Sequence, residues 1–331
     1  MRPSIAVVPA DVIALQNEVP LATKPVRIRR QSMSVYISFL ALIIIPFVAL
    51  IAGIALLWGP GVQPIHLVLM IGGYMLSGWG ITVGYHRLFT HKSFKTNRFI
   101  TGTLAILGSM AAEGPVVRWS GIHRMHHQFS DEDLDPHSPH AYGHDHGPEH
   151  VRNFKDVLHG FWHSHIGWVL LAEPDGYERY VPDLKADPML RWIDKTFAYW
   201  MALGILLPGL IAWAVTGTVV GGLLGVLWGG LVRLLIVHHI TWSINSACHL
   251  WGARDYNSHD ESRNNVVFGI LGLGEGWHNN HHAFPTSARH GLKWWQFDSS
   301  WLIIKGLSMV GLASDVKVPT ADRLAAKARV G

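Results

Sequence analysis

YISFLALIIIPFVALIAGIALLW, residues 36–58, decides the fold class: 23 consecutive positions carry no charge. At about 1.5 Å per residue, such a helix crosses a hydrocarbon layer roughly 30 Å thick. Pro46 would break a soluble helix but is tolerated in a span whose neighbours satisfy the freed carbonyl. The composition agrees, with 49% apolar and only 15% charged residues over 331 positions. Soluble domains carry roughly 25% charge, so much of this surface does not face water. A single cysteine, Cys248, excludes an internal disulfide framework and a thiolate metal cluster.

Three further apolar runs complete the membrane reading. Residues 65–84 follow the first after a loop too short to fold alone, and 197–215 and 219–240 are joined by Thr216-Gly217-Thr218. The expectation is an all-α membrane protein of four transmembrane helices in two hairpins. A flexible arm is expected over 1–35, a membrane domain over 36–315 and a tail over 316–331. Phe99–Ala112 is apolar but short, which favours a buried or interfacial helix. No cleavable signal peptide is read at the N-terminus. Lys24, Arg27, Arg29 and Arg30 precede the first span, so the positive-inside rule keeps the N-terminus cytoplasmic. Segment 85–196 and everything after 240 then share that side as a helical cap. The formal net charge of +4 suits anionic inner-leaflet lipid and an acidic partner, and nothing resembles a nucleic-acid module.

Of 22 histidines, only His66 lies outside the windows 86–165 and 238–290. His86 and His91 are five apart, about 140° on an ideal helix, and can share a site only if the helix ends or distorts between them. His123, His126 and His127, and again His278, His281 and His282, have the i, i+3, i+4 spacing that puts imidazoles on one helix face. All three clusters fall on the same side of the membrane by a topology derived without them. Eight imidazoles exceed the three or four protein ligands of a usual zinc site, so two metal ions are implied, four box histidines to each. Nitrogen donors suit iron, copper, zinc or nickel.

The pattern HxxxxH, HxxHH, HxxHH resembles the membrane fatty acyl desaturases of the stearoyl-CoA (delta-9) desaturase type, in a bacterial-like form. Phe129-Ser130, Asp135-Pro136-His137, Gly274-Glu275-Gly276-Trp277 before the third box, and Asn245-Ser246-Ala247-Cys248-His249 match as well. The likeness covers roughly residues 36–315. It implies a di-iron oxidase that introduces a cis double bond, of delta-9 type, into a saturated acyl chain on CoA or lipid, with dioxygen as co-substrate. It also implies His249 as a ninth ligand, making one iron five-coordinate, and Asn245 holding water near the other. No haem-binding domain is fused, so a separate ferredoxin, cytochrome or reductase is expected to supply electrons. The expected setting is the bacterial inner membrane, with the site cytoplasmic.

Glu113, Asp131, Asp135, Asp255 and Glu275 are candidates to orient imidazoles. His137 to His150 reads as an exposed loop, and His238 and His239 as packed or boundary residues. Relatives that use CoA carry Arg-Asp before the second box, where this chain has Gly121-Ile122. Arg118 and Arg124 are therefore the candidate head-group contacts, and arginine restored at Gly121 is expected to improve use of acyl-CoA. Competing readings are a membrane hydroxylase of fatty acids or alkanes with the same boxes, and a histidine-rich metal transporter. The ordered triads outside the spans oppose transport, because transport paths place polar ligands at mid-membrane.

Overall fold

The computed structural model describes residues 28–29, 32–57, 61–132, 134–140, 153–171, 173–174 and 176–329. Most of the arm over 1–35 and of the loop 137–150 lies outside them. α1 (Met33–Leu57) and α2 (Pro64–Thr90) follow one another in the chain, but α1 packs chiefly against residues 226–232 of the last span and not on α2, so the expected first hairpin is not a packed pair. Between the hairpins come α3 (Arg98–Ser109), α4 (Val116–Phe129), α5 (Phe154–Trp162), α6 (Trp168–Leu171), α7 (Pro182–Ala186) and α8 (Pro188–Lys195). The second hairpin is α9 (Phe197–Thr216) and α10 (Val219–Leu250), and α11 (Val266–Leu271), α12 (His278–Ala283), α13 (Ser299–Met309) and α14 (Ala321–Lys327) complete the cap. α1, α2, α9 and α10 are long and apolar enough to cross a membrane. Two antiparallel two-residue pairings, Ile28–Arg29 with Glu173–Pro174 and Lys95–Thr96 with Ala313–Ser314, tie loops together.

Two spans run further than their apolar stretches suggest. α2 continues to Thr90 and α10 to Leu250, so each carries its histidines into the cap on one rigid rod. Polar side chains join the hairpins at both ends. His66 accepts from Gln63 N–H at Nδ1 (2.9 Å), and its Nε2 donates to the Gly221 carbonyl (3.0 Å). Arg233, buried in α10, donates to the carbonyls of Gly229 (3.2 Å), Met110 (2.8 Å) and Gly204 (2.8 Å). A charge at this depth persists because backbone carbonyls of three elements satisfy it.

From residue 80 to 90, α2 widens to π-helical i→i+5 bonding. The His91 N–H donates to the His86 carbonyl at 3.1 Å, closing one such turn between the two histidines. Five residues then make about one turn, and the rings come together with centroids 4.8 Å apart. This is the distortion that a five-residue spacing requires.

Candidate metal centre

α2, α4, α10 and α12 deliver the histidines. Ring nitrogens of His86, His91, His123, His127 and His281 lie within 4.8 Å of one another, and those of His126, His249, His278 and His282 form a second group on the same criterion. The expected four-and-four division of the boxes is thereby replaced. The boxes divide five and three, and His249 brings the smaller group to four. Adjacent residues on a helix differ by about 100°, so His126 and His127, like His281 and His282, serve different groups.

The inward nitrogens suit cations. Nε2 atoms face one another across 3.0 Å for His86 and His281, 2.9 Å for His281 and His127, 3.1 Å for His127 and His123, and 3.0 Å for His278 and His249. Nε2 of His91, His126 and His282 is buried and meets no hydrogen-bond partner. Carboxylates hold the opposite nitrogens: Nδ1 of His126 donates to Asp135 (2.9 Å), of His249 to Asp131 (2.9 Å), of His282 to Asp260 (2.5 Å), and of His86 to Glu275. Each such contact leaves Nε2 as a bare lone pair aimed inward. Burial pushes His91, His123, His126, His127, His278 and His281 well below the ordinary histidine pKa, with neighbouring imidazoles adding to the effect. Neutral imidazoles with converging lone pairs are what two divalent ions require.

Burial opposes ionisation of Asp131, Asp260 and Glu275. Their partners, chiefly His249 for Asp131, His282 for Asp260, and His86, His290 and the Arg87 guanidinium for Glu275, outweigh it and hold all three below the usual carboxylate range. Asp131, Asp135 and Glu275 thus contact histidines as the sequence suggests. Two other acidic residues stand elsewhere. Glu113 accepts from Trp119 Nε1 (3.0 Å), and burial pushes its carboxyl up to about 7. Trp119 in turn stacks on His123, with centroids 5.0 Å apart. Asp255 binds Asn264 Nδ2 (2.8 Å) and Lys293 Nζ (2.9 Å), away from both groups.

Some site residues escape a reading by spacing. Asp260 bears no sequence relation to the third box that it supports. His290, fully buried, has its ring 4.4 Å from that of His281 and 5.4 Å from that of His86. His137 is buried rather than exposed, with its ring 4.3 Å from that of His126. His238 donates to the Ala111 carbonyl (2.8 Å), and His239 Nδ1 pairs with His165 Nε2 (3.0 Å).

An apolar cleft leads to the centre. His86, His123, Asn245 and His278 line it together with Phe39, Leu42, Ile43, Tyr74, Ile81 and Trp168. Of the two arginines expected at a head group, Arg118 lies at this cleft with its guanidinium 5.6 Å from the Phe39 ring. Arg124 is a structural tie. It donates to the carbonyls of Phe89 (2.6 Å), Thr90 (3.0 Å) and Tyr180 (2.7 Å) and to both oxygens of Asp183 (2.7 and 3.0 Å). Nor does Gly121 leave room for arginine, since a Cβ there would lie 2.8 Å from the Tyr177 carbonyl oxygen.

Comparison with known proteins agrees with this geometry. A family model for fatty acid desaturases matches residues 63–307. The chain is 42% identical to hex-5-enoyl-[acyl-carrier protein] acetylenase of Moorena producens (strain JHB), over 87% of this chain and 88% of that protein. It is 40% identical to the sn-1 stearoyl-lipid 9-desaturase of Anabaena variabilis, over 74% and 81%. Identity to the acyl-CoA C20 Delta5-desaturase of Anemone leveillei is 39%, over 75% and 73%. Four apolar spans, two groups of buried histidines and a cleft fit for an acyl chain belong together: the chain is a member of the fatty acid desaturase family, a membrane oxidoreductase that desaturates fatty acyl chains.

Proposed function

We propose that the protein is an oxygen-dependent desaturase introducing a cis double bond, of delta-9 type, into a saturated acyl chain carried on CoA or lipid. The observation that carries this reading is the convergence of nine imidazoles into groups of five and four beside an apolar cleft that His86, His123 and His278 line. In this reading His86, His91, His123, His127 and His281 hold one iron, and His126, His249, His278 and His282 the other, with Asn245 placing a water. Bound iron, with dioxygen and two electrons, supplies the hydrogen-atom abstraction that an unactivated methylene requires, since no side-chain base can remove such a proton.

The protein's own residues orient and exclude. Asp131, Asp135, Asp260 and Glu275 fix the tautomers and planes of four imidazoles. Trp119, held by Glu113, and the walls of the cleft keep the chain dry and bent toward His86 and His123. The balance is R–CH2–CH2–R′ + O2 + 2 e⁻ + 2 H⁺ giving R–CH=CH–R′ + 2 H2O, with electrons from a separate ferredoxin, cytochrome or reductase. The setting is the bacterial inner membrane, with the centre on the cytoplasmic side. The test is expression in a host lacking unsaturated fatty acids, with double-bond localisation by mass spectrometry and metal analysis of the purified chain. Two irons and a Δ9 product are expected. Zinc alone, or a hydroxylated product, would overturn the reading.

A further inference from the structure

We propose that the C-terminal segment 316–329 braces the metal centre, with Lys327 as the residue that positions α12, the helix of the third box. It rests on the two-iron reading and adds to that centre a residue from outside the histidine boxes.

α12 cannot hold its own shape. It has six residues, too few for a stable isolated helix, yet it delivers His281 to one group of imidazoles and His278 and His282 to the other. The last carbonyls of any helix lack partners within it. Here Lys327 Nζ donates to the carbonyl of Ala283, the residue directly after His282, at 2.7 Å. The same ammonium stands 5.5 Å from the centroid of the Phe284 ring. A cation in this place also opposes the partial negative charge at the C-terminal end of the helix.

Both ends of the segment are tied beside ligands. At its start the Lys317 N–H donates to the Ser93 carbonyl (2.9 Å) and the Lys317 carbonyl accepts from the Ala288 N–H (2.8 Å), linking the chain just after His91 to the chain just after α12. Val316 is buried with Phe94, Ala288 and Ile304. At its end the Asn257 N–H donates to the Lys327 carbonyl (2.7 Å) and the Arg329 N–H to the Asp255 carbonyl (3.0 Å), so that Tyr256 and Ala328 form a β-bridge. Residues 255–257 are in turn joined to α12. The Tyr256 N–H donates to Asn279 Oδ1 (2.8 Å), Asn279 Nδ2 donates back to the Tyr256 carbonyl (3.0 Å), and the Tyr256 ring lies 5.2 Å from that of Phe284. Three residues beyond Asn257, Asp260 accepts from His282 Nδ1.

Packing does not explain where α14 sits. None of its residues is buried, so polar contacts fix its place on α12 and on the loop that leads to Asp260. Those contacts favour the four-histidine group, because His278, His282 and Asp260 all belong to the braced part. The five-histidine group draws His86, His91, His123 and His127 from elsewhere and depends on α12 for His281 alone.

The full chain, purified metal-free and titrated anaerobically with ferrous iron, should take up two ions. Lys327→Met, which keeps the length of the side chain and loses the donor, should weaken one binding step about 10-fold and spare the other. Lys327→Arg should bind as the wild type does. Arg329→Pro removes only the N–H to Asp255, after an Ala328 already extended at ψ 134°, and should weaken the same step. In a His249→Ala background, where the four-histidine group is already disabled, Lys327→Met should change nothing further. Thermal midpoints of the metal-free chains should coincide, since α14 buries no residue. Two unaltered steps in both Lys327→Met and Arg329→Pro, or equal weakening of both steps with a lowered metal-free midpoint, would overturn the brace and leave the two-iron centre standing. A wild-type chain that binds fewer than two irons would overturn the two-iron reading and the brace with it.

Discussion

His249 donates from Nδ1 to Asp131 across 2.9 Å, although 118 residues separate them. Asp131 holds a positive φ of 64°, a conformation uncommon outside glycine, and also accepts from Ser138 Oγ (2.7 Å) and the Glu261 N–H (2.8 Å). The loop after the second box is thereby clamped to the end of α10. Nε2 of His249 is left as a lone pair facing His278 at 3.0 Å.

His249→Ala should therefore cost the four-histidine group its metal, lowering iron from two toward one per chain and abolishing desaturation. Asp131→Asn should weaken metal binding about 10- to 100-fold without removing a donor. Asn245→Ala should retain both irons and lose most activity. Metal titration of the purified variants checks all three, and full iron with normal turnover in His249→Ala would show that this histidine merely packs.

Glu113 makes stability depend on pH. Its carboxyl, pushed by burial from 4.5 to about 7, keeps a proton in the folded chain that the unfolded chain releases above about 4.5. Stability from this group is present at low pH, falls between about 4.5 and 7, and is level beyond. Glu113→Gln removes that slope, so the variant should gain on the wild type by up to about 3 kcal/mol at pH 8 and by little at pH 5, at roughly 1.36 kcal/mol per pKa unit. Thermal midpoints in detergent at the two pH values measure it, and parallel pH profiles for the two proteins would refute it.

Gly121→Ala should destabilise by about 1–3 kcal/mol, because its new methyl meets the Tyr177 backbone. Gly121→Arg should lower the folded fraction and bring no gain with acyl-CoA. Thermal unfolding and competition between acyl-CoA and lipid substrates test this; a stable arginine variant with better acyl-CoA use would count against the packing argument.

Arg87, wholly buried, pairs with Glu275 (3.1 Å) and Asp298 (3.0 Å). Arg87→Met leaves two buried carboxylates without their cation, a loss of about 3–5 kcal/mol. Adding Asp298→Asn should recover part of that loss, even though it also weakens the acceptor of the His290 N–H (2.8 Å). Unfolding measurements on the single and double variants decide it: an Arg87→Met chain as stable as wild type would mean the ion pairs contribute nothing.

Sequence alone determined the four spans, the pairing of the last two and the eight box histidines, because uncharged runs and i, i+3, i+4 spacings are local properties that any helix converts directly into geometry. It also marked His249 and Asn245, through their motif. Only the tertiary structure decided which imidazole keeps company with which. His126 and His127 are neighbours in sequence, yet the turn of the helix sends them to different groups, and their partners arrive from α2, α10 and α12. The same holds for the carboxylates. Asp260 reaches His282 and Asp131 reaches His249 because distant parts of the chain fold together around the centre, and no periodicity along the chain encodes a contact made across it.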